Sequence, residues 1–574
     1  SPENPYLYTV ELQVMDGKKH IDGGIVRMGI RKAEFRGKDG FWLNGKPYHQ
    51  LVGGNRHQDF AYVGNAVPNS QQWRDVMRLK HAGMTIIRAA HYPQDPSFMD
   101  ACDELGLFII VPTPGWQFWN QDPKWGEMVH QNTRDIIRRD RNHPCVLMWE
   151  PILNETRYPQ DFALKALQVT REEYPWPGRP VAAADMNSAG VKDNYDVLYD
   201  WPYNIANGKY DIDKCIFTRE WGEYVDDWYA HNAVNRAARG WGEQAQVAAA
   251  LSLADTYGMM FQSQRQFIGG CLWHPFDHQR GYHPDAYLGG IYDAFRQPKY
   301  ALDMFKAQIT PNNQSAPAYF ISIAHELTPF SPSDVTIFSN CDSVRLTALN
   351  GWKSATLPVV HDPNGQPNAP VIFKDFWDSW KARELSYNKK SWQSVKFVAE
   401  GIKNGEVVCT AEKMPSRRST KIRLIADEMG RQLVADGSDF IVVVAEITDD
   451  NGNVRRLARE HVSFTVEGEG RIIGDASIAA NPRQVEWGTA PVLIRSTHKA
   501  GPVRIIARST FEGIHAPAAD TLTIESIPYE GRMCYQEASN GLKLSTNTHS
   551  LSPNAPTITD AERRKMPDEV EQQQ

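Results

Sequence analysis

The sequence predicts a multidomain chain in which a (β/α)8 (TIM) barrel is flanked by immunoglobulin-like β-sandwiches. Three observations predict it. Residues 35–310 alternate short apolar runs with amphipathic stretches, the pattern of parallel βα units. On either side of that region the chain alternates apolar and polar residues with the period of strands. A chain of 574 residues also exceeds what one hydrophobic core organises, which sets a prior of about three or four domains.

Residues 1–34 read as the end of a β-sandwich, with strands at Tyr6–Val14 and Gly24–Ile30 and turn-forming Asp16-Gly17 and Asp22-Gly23 between them. The chain opens at Ser1, without Met and inside this pattern, so a preceding portion is expected. In residues 35–310 the predicted strands are Tyr48–Gly53, Thr85–Arg88, Leu107–Val111, Cys145–Trp149, Pro180–Ala184, Asp196–Tyr199, Cys215–Thr218 and Phe267–Trp273. Helical stretches at Gln71–His81, Ser97–Leu105, Asn132–Arg139 and Gln244–Phe261 separate several of them, and Lys299–Lys306 reads as a closing helix. Eight strands over this length match a (β/α)8 barrel, typically ~250 residues. Residues 311–425 form a second β-domain with strands at Tyr319–Ala324, Asp334–Phe338 and Ser343–Ala348. A third, residues 426–528, contains Phe440–Glu446 followed by a hairpin turn at Asp449-Asp-Asn-Gly452. Residues 529–574 are a polar tail.

Composition narrows the function. The net charge of −7 is modest, and Lys and Arg are scattered, which argues against nucleic acid as a partner. No run approaches the ~20 apolar residues of a membrane span. Seven widely spaced Cys without a C-x-x-C pair exclude a disulfide scaffold and give no zinc motif. The 17 Trp suit stacking against sugar rings and suit core packing equally well.

In a (β/α)8 barrel, functional side chains sit at the carboxyl ends of strands. Those positions hold Arg88 and His91 after strand two, Asn154 and Glu155 after strand four, Tyr199 or Tyr203 after strand six, Glu220 after strand seven, and Trp273 at strand eight. Two carboxyls facing each other across a barrel mouth are what glycoside hydrolysis requires. Glu155 is the expected acid/base and Glu220 the expected nucleophile, with Arg88 bonding Glu220 and lowering its pKa. The charge of Glu220 would hold the proton on Glu155 until a glycosyl ester forms. Asn154 is placed to bond the sugar 2-hydroxyl.

These residues carry a family resemblance. Phe41-Trp-Leu-Asn-Gly-Lys-Pro47, Gly54-Asn-Arg-His57, Ile87-Arg-Ala-Ala-His-Tyr-Pro93, Asp103-Glu-Leu-Gly106, Arg139-Asp-Arg-Asn-His-Pro144, Asn154-Glu155 and Arg296-Gln-Pro-Lys299 stand in order over residues 1–310, and the succession resembles glycoside hydrolase family 2. The resemblance implies a retaining, exo-acting β-glycosidase that requires no cofactor. Two departures stand out. The family usually places three residues between the strand-four Trp and the Asn-Glu pair, whereas Trp149-Glu-Pro-Ile-Leu-Asn-Glu155 has four, so a local bulge is expected. After strand three, an acidic, His-bearing segment is replaced by Pro112-Thr-Pro-Gly-Trp-Gln-Phe-Trp119, an aromatic wall expected to face the non-reducing sugar.

Family glucuronidases resemble one another in an Asn-x-Lys element that Ala286-Tyr-Leu-Gly-Gly290 lacks. The resemblance therefore favours a β-galactosidase acting on a modified or polymeric galactan, with Trp116, Trp119, Trp273 and Asp277 added as substrate contacts. A β-mannosidase or β-glucuronidase is the alternative within the family, and a non-catalytic carbohydrate-binding protein with a degenerate barrel the alternative of another class. An oligo- or polysaccharide is the expected partner, a homo-oligomer is left open, and a periplasmic or secreted location is expected from substrate size. Blander readings accompany several residues. Glu150 is expected in a loop contact and Glu223 without a role, while His57 and Asp59 are expected to anchor a loop. His274, Asp277 and His278 match no zinc spacing.

Overall fold

A computed structural model of the chain describes residues 1–48, 50–174, 181–222, 233–260, 263–279, 286–309, 319–362 and 366–531. Within residues 1–529, eight parallel strands form a barrel: β1 (Leu51–Arg56), β2 (Ile86–Ala89), β3 (Phe108–Pro112), β4 (Val146–Glu150), β5 (Ala183–Asp185), β6 (Val197–Tyr199), β7 (Cys215–Trp221) and β8 (Phe267–Leu272). Each of β1–β3 and β5–β7 pairs with the strand that follows it, and β8 pairs with β1. A parallel bridge between Trp149 and Ala182 brings β4 against β5. The strands are buried on both faces because helices cover the outside, which is why they read as continuous apolar runs.

The helices start and stop where the sequence instructs them. Before α2 (Pro96–Leu105), the carboxylate of Asp95 accepts from Ser97 N, Pro96 takes the first turn, and Gly106 ends the helix in the left-handed region at φ 78°. Asp122 and Pro123 repeat the device for α3 (Pro123–Asp140). At the opposite end of the barrel from the mouth, Asp103 of α2 bonds His143 Nδ1 (2.6 Å) and accepts from Cys145 N (2.9 Å). That explains two of the sequence motifs as one fastening between α2 and the start of β4. Strands Ala33–Phe35, Phe41–Leu43 and Lys46–Pro47 form a small antiparallel sheet whose Ala33, Phe41 and Leu43 pack with Leu51, Phe108 and Leu147.

The flanking regions are antiparallel. Tyr8–Asp16 and Lys19–Met28 make a hairpin, and Asp22-Gly23 lies inside its second strand, not at a turn as expected, because the turn closes at Gly17 (φ 58°). Residues 321–413 form a three-stranded and a four-stranded sheet around one core, and residues 421–528 a four-stranded and a five-stranded sheet around another. In the latter, the turn at Asp449–Gly452 forms, but it does not join two paired strands. Phe440–Thr448 pairs with Lys421–Ala426 and Thr489–Ser496, while His461–Gly468 crosses to the other sheet. A short bridge from Thr448 to Val454 is all the hairpin that exists.

The last sandwich is clasped to the barrel. Arg74, on α1 (Asn69–His81), is fully buried and donates to the carbonyls of Glu428, Arg431, Gln432 and Phe440. Its neighbours Ser70 and Arg78 bond Asp439 and Asp427. Among the described residues no helix is long and apolar enough to cross a membrane.

Candidate active site

The mouth of the barrel is organised around one irregularity. Thr218 of β7 pairs with Gly270 and Trp221 with Leu272, so Arg219 and Glu220 together oppose the single residue Cys271 of β8. A regular strand would send one of these side chains outward; the bulge lets both reach the mouth. Asn55 at the end of β1 stabilises it, its Nδ2 donating to the carbonyls of Arg219 (2.9 Å), Leu272 (3.2 Å) and Cys271 (3.3 Å).

Arg88, fully buried at the end of β2, uses its whole donor set. Nε and Nη2 grip Glu150 bidentately (2.7 and 2.6 Å), Nη2 also reaches Asn154 Oδ1 (3.0 Å), and Nη1 donates to Asn55 Oδ1 (2.9 Å) and Glu220 Oε1 (2.8 Å). Glu150 is therefore not a loop contact as expected. As the last residue of β4 it points inward, buried, and also accepts from Tyr199 Oη (3.1 Å). The Arg88–Glu220 bond expected from the sequence is present, but the expected fall in pKa is not. Burial pushes the Glu220 carboxyl above its usual range, and Arg219 and then Arg88 oppose the shift without reversing it.

Glu155 sits differently. Its backbone is left-handed (φ 46°) and its side chain is about one-third exposed. Trp116 Nε1 (3.0 Å) and Gln117 Nε2 (2.9 Å) both donate to Oε2, and Arg219 Nη2 lies 3.5 Å from Oε1. The two departures from the family pattern meet here as a single structure. Asn154 N donates to Gly115 O (3.1 Å), Gln117 N donates to Asn154 O (3.0 Å), and Trp116 and Asn154 form a parallel bridge. The extra residue after Trp149 is thus accommodated by strand-like pairing with the aromatic segment after β3. Gly115 (φ 149°) permits the approach, since a Cβ there would overlap Leu153.

Arg219 is a site residue that the sequence reading missed. It contacts Asn154 Oδ1, Glu155 and Asp185 Oδ1 (3.1 Å), and the strand period gave no warning that two consecutive residues would face inward. Asp185 was also missed, although its position as the last residue of β5 is a signal of the kind that found Glu155. Because Asn154 Oδ1 accepts from both guanidiniums, its Nδ2 is directed towards His91 Nε2, 3.5 Å away, and into the mouth.

An aromatic wall lines the opposite side. Trp116, His91 and Trp273 lie in a near-parallel pile, with His91 centred 6.2 Å from Trp116 and 5.2 Å from Trp273. His57, expected to be a loop anchor, stacks on His278 (4.6 Å), which stacks on His274 (3.9 Å). Burial and nearby guanidiniums hold His91 and His274 well below the ordinary imidazole range, so both are neutral. His91 Nδ1 and Trp273 Nε1 are buried without a protein partner.

Other expected contacts lie elsewhere. Tyr199 is buried under the mouth against Glu150. Tyr203 is 68% exposed on the short helix Pro202–Asn207 and joins none of these groups, since the chain turns outward at Pro202. Trp119 packs edge-on against Trp125 and Phe162. Asp277 is a buried anchor, its Oδ1 accepting from Lys299 Nζ (2.7 Å) and Gly290 N (2.9 Å), with burial raising its pKa to about 6. Glu223 lies outside the described residues. Among the described residues, the clustered ligand-type side chains Asp103, His143 and Cys145 lie away from the mouth and are engaged with one another.

Comparison with known proteins agrees with this architecture. Residues 35–287 match the model "Glycosyl hydrolases family 2, TIM barrel domain", and residues 422–512 match "Glycoside hydrolase family 2 C-terminal domain 5". A β-galactosidase of Thermoanaerobacter pseudethanolicus is 30% identical over 523 residues, covering 89% of this chain and 66% of that protein. A β-glucuronidase of Formosa agariphila is 23% identical over 554 residues, covering 92% and 52%. Among solved structures, a β-glycosidase from Bacteroides vulgatus superposes with a TM-score of 0.72 at 21% identity, covering 92% of this chain and 70% of that one. A family 2 β-glucuronidase structure gives 0.72 at 21%, covering 93% and 54%. The chain thus spans just under two thirds of the β-galactosidase and about half of the Formosa β-glucuronidase.

Proposed function

The chain belongs to glycoside hydrolase family 2, and from that premise we propose that it cleaves neutral β-glycosides, β-galactosides first among them, by two successive displacements. The observation that carries the proposal is the pair of glutamates that β7 and the loop after β4 bring to the mouth, Glu220 gripped by Arg88 and Glu155 partly exposed beside Arg219. In the first step Glu155 gives its proton to the glycosidic oxygen as a Glu220 oxygen bonds to the anomeric carbon and the leaving alcohol departs. In the second, Glu155 takes a proton from water, the water oxygen displaces Glu220, and the sugar leaves with its configuration retained. Asn154 Nδ2, beside His91, has a second hydrogen with which to bond the 2-hydroxyl, and the piled rings of His91 and Trp273 offer the sugar a flat wall.

Charge supports a neutral sugar. Among the described residues of the mouth, the carboxyls Glu150, Glu155, Asp185 and Glu220 outnumber the guanidiniums Arg88 and Arg219, and Lys299 is already bound to Asp277. Turnover of aryl β-galactoside, β-mannoside and β-glucuronide tests the sugar, and trapping with a 2-deoxy-2-fluoro glycoside followed by peptide mapping tests the mechanism. Label on a residue other than Glu220 sinks the nucleophile assignment, and a wild-type protein inactive on all three glycosides sinks the enzyme reading.

A further inference from the structure

The seven cysteines are scattered along the sequence, but the fold brings two of them into contact in the sandwich that follows the barrel. Cys341 lies in the turn leading from strand Val335–Ser339 of one sheet to strand Ser343–Ala348 of the other, and Cys409 lies in Glu406–Lys413, the edge strand of that second sheet. Their Sγ atoms are 3.6 Å apart. Backbone bonds fix both positions. Asp342 N donates to Ile402 O (2.9 Å) and the Asp342 carboxylate accepts from Asn404 N (3.0 Å), which pins the turn beside strand Phe397–Lys403. Cys409 pairs with Gly401 of that same strand. Gly401 is not in the left-handed region, so its backbone would accept any residue, yet a Cβ there would lie 2.6 Å from both sulfurs. The glycine is the space in which the two sulfurs meet.

We propose that Cys341 and Cys409 form a redox site that closes to a disulfide by exchange with a small disulfide oxidant of the glutathione type. Cys409 is the entry point, being partly exposed where Cys341, Cys102, Cys145, Cys215 and Cys271 are buried. Its thiolate attacks one sulfur of the oxidant and expels a first thiolate; the Cys341 thiolate then attacks Cys409 Sγ and expels the second. Two cysteine S–H bonds and the oxidant's S–S bond give one protein S–S bond and two small thiols, which carry off both protons and the electron pair. Closure brings the sulfurs together by roughly 1.5 Å, to a bond of about 2.05 Å. Burial and the adjacent Cys341 push the Cys409 thiol up to about 12, so little thiolate exists at neutral pH and exchange is slow. That suits a staple formed once in an oxidising compartment better than a rapid switch. The staple ties the corner between the two sheets to an edge strand 68 residues further along, and a cross-link over so long a loop strongly restricts the unfolded chain.

The test incubates the whole chain with oxidised glutathione and maps its disulfides in peptides prepared without reductant. A Cys341–Cys409 cross-link should dominate, and thiols titrated after denaturation should fall by two from the seven of the sequence. Glutathione left on Cys409, or a link from either cysteine to another, including Cys534 outside the described residues, overturns the site. Heat supplies a second measurement. Oxidised wild type should melt about 5 °C above the reduced protein and return to the lower value in dithiothreitol, the scale expected of one long-loop cross-link. Cys409→Ser, a change at the partly exposed position, should show no such rise under the same oxidant. A wild type that gains nothing, or a Cys409→Ser variant that gains as much, overturns the staple. Gly401→Ala keeps both cysteines and fills the space between them; its cross-link should drop to background, and an undiminished yield would show that the sulfurs do not meet there.

Discussion

Two glutamates face the same barrel mouth in opposite surroundings. Glu220, from β7, is buried and tied to a guanidinium that is itself locked by Glu150 and Asn55. Glu155, from the loop after β4, is partly open to water and held by the tips of Trp116, Gln117 and Arg219. Under the proposed mechanism the contrast is a division of labour. A nucleophile gains from a fixed position and excluded water, whereas a group that gives and takes a proton in alternate steps must exchange with solvent and tolerate both charge states.

Removing each carboxylate breaks the comparison most sharply. Glu220→Gln should lower kcat on every substrate by at least about 10⁴-fold, the scale for loss of a nucleophile. Glu155→Gln should cost about 10³-fold with alkyl or sugar leaving groups and only a few-fold in kcat/KM with an activated aryl group, which needs little protonation. Similar losses on both leaving groups would contradict the acid role. Glu150→Gln leaves Arg88 without its bidentate partner, and chemical denaturation should show a loss of about 3 kcal/mol, as expected when one member of a buried pair is removed. Gln117→Ala frees one side of the Glu155 carboxylate and should reduce kcat/KM about tenfold on disaccharides, with less effect on activated aryl substrates.

The smallest effect concerns stability and pH. The folded pKa of Glu220 lies above the ordinary glutamate value, so between the two the folded state holds more protons and stability falls as pH rises. Glu220→Gln should therefore be more stable than its parent at pH 7, with the gap closing below about pH 4.5. A variant that is less stable at pH 7 would show that the Arg88 bond outweighs the burial.

The strand ends were legible because position along a barrel strand predicts function, and Arg88, His91, Asn154, Glu155, Glu220 and Trp273 all come to the mouth. Glu150 was misjudged because the residue before Pro151 reads as the start of a loop, yet β4 continues through it. Arg219 was hidden by a bulge, which adds a residue without altering composition or apolar content. Asp277 looked available because its partner, Lys299, is 22 residues away and reaches it only in the folded chain. Pairing of the aromatic segment with the Asn154 loop was equally invisible, since each departure read as a separate oddity.

The Arg74 clasp bears on how the chain can be divided. A barrel cut from this protein before residue 421 would expose the Arg74 guanidinium to water and lose its bonds to the carbonyls of Glu428, Arg431, Gln432 and Phe440. Hydrogen bonds from a charged donor contribute about 1.5–3 kcal/mol each, so this set is comparable with the whole margin of a typical domain. Barrel and last sandwich should accordingly melt in one cooperative transition.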